Sequence, residues 1–251
     1  MKKDLYDLNG KKVKMIDLPE QFNEDYNFDL INRAILSLRS NSRQPYGVMP
    51  RAGMNYSAKL SRRRRDYKGA YGKGIARVPR KTMWRRGTQF MWVGALAPGT
   101  VGGRKAHPPK ASKIWNLKIN KKERAKAIRS ALGGSAKESI AVLDDFENIS
   151  KTKESIKILK LLGFKVESVK RKKAGRGKSR GRAFRYSKGA LVIVSKKCNL
   201  FRAISNIPGY DVVDIKSLNA DLLTLGKDMP RKCIFTEGAL NIMDKEKLFS
   251  K

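Results

Sequence analysis

Apolar positions along this chain come in short clusters, and their spacing changes from one cluster to the next. Residues 12–18 alternate in the manner of a short strand. Phe28, Ile31, Ala34, Ile35 and Leu38 then fall on one helical face. Asn120, followed three positions later by Glu123, has the form of a capping box; it opens a helix running to Leu132, which Gly133-Gly134 is expected to stop. The apolar run 140–143 predicts a strand. Ile156, Leu159 and Leu162 line up as a helix with Gly163 as its stop. Further strand-like runs occur at 191–194, 212–215 and 233–235, and helical spacing at about 198–206, 217–224 and 237–248. Ser217 and Thr236 stand where N-caps belong. Short apolar strands alternating with helices predict an α/β fold, a mostly parallel sheet flanked by helices.

Two stretches break this pattern. Residues 41–112 hold ten of the 21 glycines and six of the nine prolines, with aliphatic residues scattered singly. No strand or helix period survives there, so the segment reads as a long extended internal loop. A second, shorter interruption spans 165–189. The expected organisation is a single α/β domain over 1–251, with an extended loop at 41–112 and a second loop at 165–189.

Charge separates the same segments. The chain carries 57 Lys+Arg against 22 Asp+Glu, a formal +35. Residues 41–112 contribute 17 Lys/Arg and one acid, Asp66, a net +16. Residues 165–189 contribute 11 and one acid, Glu167, a net +10. Self-repulsion of this size destabilises a compact chain unless a polyanion neutralises it. Nucleic acid is the first such partner to consider. An anionic membrane surface is less suited, because no amphipathic basic helix with a broad apolar face is evident. The purest apolar run, 190–194, is too short to span a bilayer, and the polar start MKKDLYDLNG has no signal-peptide form.

Aromatics are interleaved with the charges of the first loop: Tyr46, Tyr56, Tyr67, Tyr71, Trp84, Phe90 and Trp92. Rings suit stacking on unpaired bases while guanidinium groups pair with phosphates. The candidate RNA contacts are therefore Arg43, Arg51, Tyr56, Arg62, Arg63, Arg64, Arg65, Tyr67, Lys68, Tyr71, Lys73, Arg77, Arg80, Lys81, Trp84, Arg85, Arg86, Trp92, Arg104, Lys105, His107 and Lys110. In the second loop they are Arg171, Lys172, Lys173, Arg176, Lys178, Arg180, Arg182 and Arg185. The tripeptide Gly177–Ser179 is not a phosphate-binding P-loop, since the glycine required five positions earlier is Lys172.

Chemistry has little foothold. His107 is the single histidine, so paired histidines are impossible, and no metal or cofactor is expected. Asp144-Asp145 ends a predicted strand, but adjacent strand residues point to opposite sides. Cys198 and Cys233 are spaced for neither a CxxC motif nor a disulfide framework and suit a reducing cytoplasm. The NxS tripeptides at Asn55 and Asn148 read as chance. An RNA-processing enzyme built on Asp144-Asp145, or an RNA chaperone or assembly factor, are the alternatives to a structural RNA-binding protein.

Several segments carry a specific likeness. GRKAHPPKASKIWNLKINKKERAKAIRSAL (103–132), GKGIARVPR (72–80), DLINRAILSLRSNSRQPYG (29–47) and VVDIKSLNADLLTLG with IFTEGALN near the end resemble the large-subunit ribosomal protein four family. The resemblance covers essentially the whole chain. It implies a cytoplasmic, non-enzymatic constituent of the large ribosomal subunit, in which an α/β domain docks on large-subunit ribosomal RNA beside neighbouring ribosomal proteins. It further implies a loop that penetrates the RNA, with shanks at 43–65 and 81–110. The tip, near 68–80 with Tyr71, Lys73, Arg77 and Arg80, would reach the exit tunnel and the nascent peptide. No homo-oligomer is expected. Ending at Lys251 without the long basic tail of eukaryotic members, the chain is expected to be of archaeal type.

Overall fold

The computed structural model describes residues 1–137, 139–142, 144–166 and 170–250, and only the backbone of residues 140, 141 and 144. The strand end at Leu143, the acid Glu167 and the Asp144 carboxyl therefore lie outside the described residues. In chain order the elements are β1 (Lys2–Tyr6), β2 (Lys12–Asp17), α1 (Phe28–Asn41), β3 (Arg80–Arg86), β4 (Gln89–Gly94), α2 (Lys121–Ser135), β5 (Ile140–Val142), α3 (Thr152–Leu161), β6 (Lys170–Lys172), the single turn α4 (Arg176–Ser179), β7 (Phe184–Tyr186), β8 (Leu191–Val194), α5 (Leu200–Ser205), β9 (Asp211–Asp214), α6 (Ala220–Thr224), β10 (Cys233–Thr236) and α7 (Glu237–Lys245). The fold is mixed α/β. The chain forms two compact units, one of residues 1–41 and 116–251, the other of residues 42–115.

The first unit is built on a six-stranded sheet in the order β2-β1-β5-β10-β8-β9. β1 and β2 pair antiparallel, while β1–β5, β5–β10, β10–β8 and β8–β9 pair parallel. Successive side chains of a strand point to opposite faces, and here both faces are covered. In β8, Leu191 and Ile193 join one apolar cluster while Val192 and Val194 join the other. In β10, Cys233 and Phe235 face the first cluster and Ile234 the second. Helices α1, α2, α6 and α7 supply the first cluster, with Ile35, Leu132, Leu223 and Leu240. Helices α3 and α5 supply the second, with Leu159 and Ile204. Burial on both sides is why these strands read as unbroken apolar runs.

Helix ends follow local chemistry. Gly163, at φ +81°, lets α3 close with Phe164 N–H donating to Leu159 O and Gly163 N–H to Lys160 O, a paired C-terminal cap. Thr236 caps α7 as expected, its hydroxyl accepting from Ala239 N–H. Ser217 does not cap α6; Asn219 does, accepting from Leu222 N–H. Nor does the Asn120 side chain cap α2. Glu123 instead pairs with Arg33 of α1 at 2.9 Å. Gly133-Gly134 does not end α2 either, because the helix continues to Ser135. A Cβ at Gly133 would strike the Glu24 carbonyl oxygen, and one at Gly134 the Tyr26 ring. The pair thus serves close packing of the helix on residues 24–26.

Candidate nucleic-acid interface

Within residues 42–115, where the sequence offers no period, β3 and β4 form an antiparallel hairpin with an irregularity between Thr82 and Trp84. Lys59 and Arg80 exchange both backbone hydrogen bonds, so the incoming chain joins the hairpin. Ser61 bridges to Gly69, and between them lies the arginine run. Asp66 organises that turn: its carboxylate accepts from the Ser61 hydroxyl and from Tyr67 N–H, which hold its pKa below the usual carboxylate value. Arg65 and Lys68 both adopt positive φ there.

Few aliphatic side chains pack this unit; rings and cations do. Tyr67 meets Phe90 edge-on at 4.8 Å, and Phe90 meets Trp92 at 5.3 Å. Lys73 and Arg80 lie over Trp92, each 5.2 Å from the ring centre. Lys68 and Arg85 approach Tyr67, Arg77 lies 4.6 Å over Tyr71, and Lys81 lies 3.8 Å over Tyr56. Such cation–ring contacts are worth about 0.5–1 kcal/mol each at exposed sites. They also fix the direction of charged groups that would otherwise move freely.

Of the residues expected to contact RNA, Lys68 and Arg80 are buried, and Tyr71, Lys81, Trp92, Arg104 and Lys173 are half-buried. The others, His107 among them, are exposed. Arg80 is only 8% exposed, and its guanidinium donates to the carbonyls of Ala76 and Val78. It organises the turn before β3. Lys73 and Arg77, by contrast, keep their charges at the surface.

The second basic stretch is also a hairpin: β6 and β7 pair antiparallel, and the turn α4 holds Gly177–Ser179. Lys170 lies 3.9 Å over the Phe184 ring, repeating the cation–ring pattern. Arg171, Lys172, Arg176, Lys178, Arg180, Arg182 and Arg185 are all exposed.

Asp145 is exposed, and among the described residues the carboxylate meeting the ends of β8 and β10 is that of Glu147. It accepts from Ser195 N–H, the Ser195 hydroxyl and the Thr236 hydroxyl, tying the strand ends together. Burial pushes the Cys233 thiol up to about 12, which keeps it protonated and unreactive. Among the described residues no His/Cys/Asp/Glu group could hold a metal ion, and no helix is long and apolar enough to cross a membrane.

The model of the Ribosomal protein L4/L1 family matches residues 16–246. The chain belongs to that family. It is 42% identical to "Large ribosomal subunit protein uL4" of Nanoarchaeum equitans, over 99% of this chain and all of that protein. The protein of the same name from Archaeoglobus fulgidus is 36% identical over 97% of this chain and 98% of its own length. That from Methanocaldococcus jannaschii is 38% identical over 96% and 97%. Membership is thus of the archaeal type, and the family is one of structural rather than enzymatic proteins.

One aromatic of the basic unit escaped the sequence reading. Trp115 lies past the end of the glycine-rich stretch, yet it stacks on Tyr46 with ring centres 5.0 Å apart and planes 26° apart. A ring stack between residues 69 positions apart leaves no mark in local spacing.

Proposed function

We propose that this protein is a structural constituent of the large ribosomal subunit in the cytoplasm. Its two basic hairpin-bearing segments bind large-subunit ribosomal RNA, and the domain with its largely parallel sheet docks on that RNA. Residues 41–112 act as an RNA-penetrating loop of a single α/β domain, and 165–189 as a second contact. The segment around Tyr71, Lys73 and Arg77 reaches the exit tunnel and the nascent peptide. Neighbouring ribosomal proteins abut the domain, and the protein acts without a second copy of itself.

One observation carries this reading. The net +16 of residues 41–112 is displayed on a scaffold of aromatic rings, with its one acid, Asp66, already engaged. Such a surface has charge for phosphates and ring area for bases. Exposed contacts of this kind are salt-sensitive, each neutralised phosphate adding roughly 0.7–0.9 to the log–log salt slope. A segment folded into RNA is released only by refolding both partners.

The test is sedimentation of cell extract before and after a high-salt wash. Equimolar, salt-resistant migration with the large subunit is the expected result. Absence from mature subunits would count for an assembly factor instead.

A further inference from the structure

Beside the first and last residues of the basic unit, four side chains converge in a way the loop tip does not require. Trp115 stacks on Tyr46, Arg43 lies 4.9 Å over the indole and Lys113 4.6 Å. The indole Nε1 is buried and has no hydrogen-bond acceptor among the described residues. Leaving a buried N–H unpaired is costly, and such orphans are uncommon in folded proteins. Two cations, meanwhile, share one ring, with no ion pair to either among the described residues. The lone carboxylate of residues 41–112, Asp66, is committed to Ser61 and to the Tyr67 amide.

The backbone around this cluster is closed. Val48 N–H donates to Pro109 O, and a Cβ at Gly47 would come within 2.6 Å of Ala111 N. The backbone that carries the site is therefore set before any ligand arrives. Tyr46 is 51% exposed while one of its faces covers the indole, so ring surface remains for a further aromatic plane to extend the stack. Arg43 and Lys113 are exposed, on long flexible stems. They can turn from the ring onto an anion.

We propose that Arg43, Tyr46, Lys113 and Trp115 form a site for one unpaired nucleotide of an RNA strand. The base stacks on Tyr46, the phosphate lies between Arg43 and Lys113 once they have turned off the indole, and a nucleotide oxygen then accepts from Trp115 Nε1. This rests on the RNA-binding reading above and adds a specific anchor where the basic unit begins and ends.

The test uses the full-length protein and an unstructured 15-nucleotide RNA, with an abasic version of equal charge. Base–ring stacking should favour the intact RNA by roughly 5-fold or more. Tyr46→Ala should abolish that preference, and Trp115→Phe, which keeps a ring but removes the donor, should retain it with weaker binding. Arg43→Gln with Lys113→Gln should lower the salt slope by about 0.7, one single-strand phosphate contact. The charge-matched control, Lys153→Gln with Lys157→Gln on α3, should change it little. Circular-dichroism melts check that each variant folds. A preference that survives Tyr46→Ala, or equal slopes for the two charge pairs, overturns the anchor while leaving RNA binding intact. If the unaltered protein binds neither RNA nor large-subunit fragments, the functional reading falls as well.

Discussion

Gly133 of α2 lies so close to Glu24 that a single methyl group would collide with the Glu24 carbonyl oxygen. The contact places a helix interior directly against backbone, which cannot swing aside as a side chain can. The neighbouring Gly134 faces the Tyr26 ring, and Ser130 of the same helix donates to Asp25 O and accepts from Asn27 N–H. The segment 24–27 is thus held along α2 by three consecutive kinds of contact.

An inverted glycine effect follows. In an open helix, Gly→Ala stabilises by about 1 kcal/mol. Gly133→Ala should instead destabilise by about 1–3 kcal/mol, the range for overpacking, and lower the thermal midpoint. Gly134→Ala should cost less, because a ring can give way. A more stable Gly133→Ala protein in urea titration would contradict the packing described.

Acid should weaken the sheet margin at Asp211. Burial alone would raise this carboxyl, but hydrogen bonds from Lys188 and Arg231 and their charges hold it below its ordinary value. Its stabilising contribution is present above the unfolded value of about pH 4 and is lost as pH falls through the lowered folded value. Asp211→Asn should cost about 1–3 kcal/mol at neutral pH and flatten the stability profile below about pH 4. The cost is limited because Arg231 still donates to Gly189, Ala190 and Gly209 carbonyls. Parallel profiles for the two proteins would remove Asp211 from the account.

Strands buried on both faces were legible in the sequence. Residues 191–194 and 233–235 are apolar without interruption because the sheet is covered twice. The hairpins β3–β4 and β6–β7 were not. Their strands, such as RKTMWRR and KRK, carry charge at most positions, and what holds them is ring-to-cation contact between distant residues. Strand β1 was missed for a related reason: only Leu5 of its five residues is buried. The glycines of α2 misled for the opposite reason, since the need for close approach belongs to Glu24 and Tyr26, more than a hundred positions away. At the candidate interface the cations were visible by composition, but Arg80 turning inward and Trp115 joining Tyr46 depend on the folded chain.

Arg80 should be a structural arginine. Its fork donates to Ala76 and Val78 carbonyls while its plane lies over Trp92. Arg80→Lys preserves charge but not the fork. The Lys59 and Val78 amides should then exchange hydrogen roughly 10-fold faster, as a loss of about 1.4 kcal/mol implies. Unchanged protection would show that charge alone suffices.

Removing the tip should spare the sheet. A chain lacking residues 67–80 retains every strand and helix of the unit formed by residues 1–41 and 116–251. Cooperative urea unfolding should persist, and the shortened protein should still join the large subunit. Loss of the cooperative transition would mean that the two units fold as one.

The strand order also has a consequence in time. β10 is the last strand to be synthesised, yet it occupies a central place, between β5 and β8. Until residues 233–236 emerge, the sheet exists at most as two fragments, β2-β1-β5 and β8-β9, each with an unpaired edge strand. The strongly basic residues 42–115 are complete long before that, because they lie between β1 and its partner β5. During synthesis the chain therefore presents its charged segment while its sheet is still open. Joining distant strands is the slow part of folding, so a newborn chain passes through an interval in which adhesive cations and unpaired strand edges are displayed together.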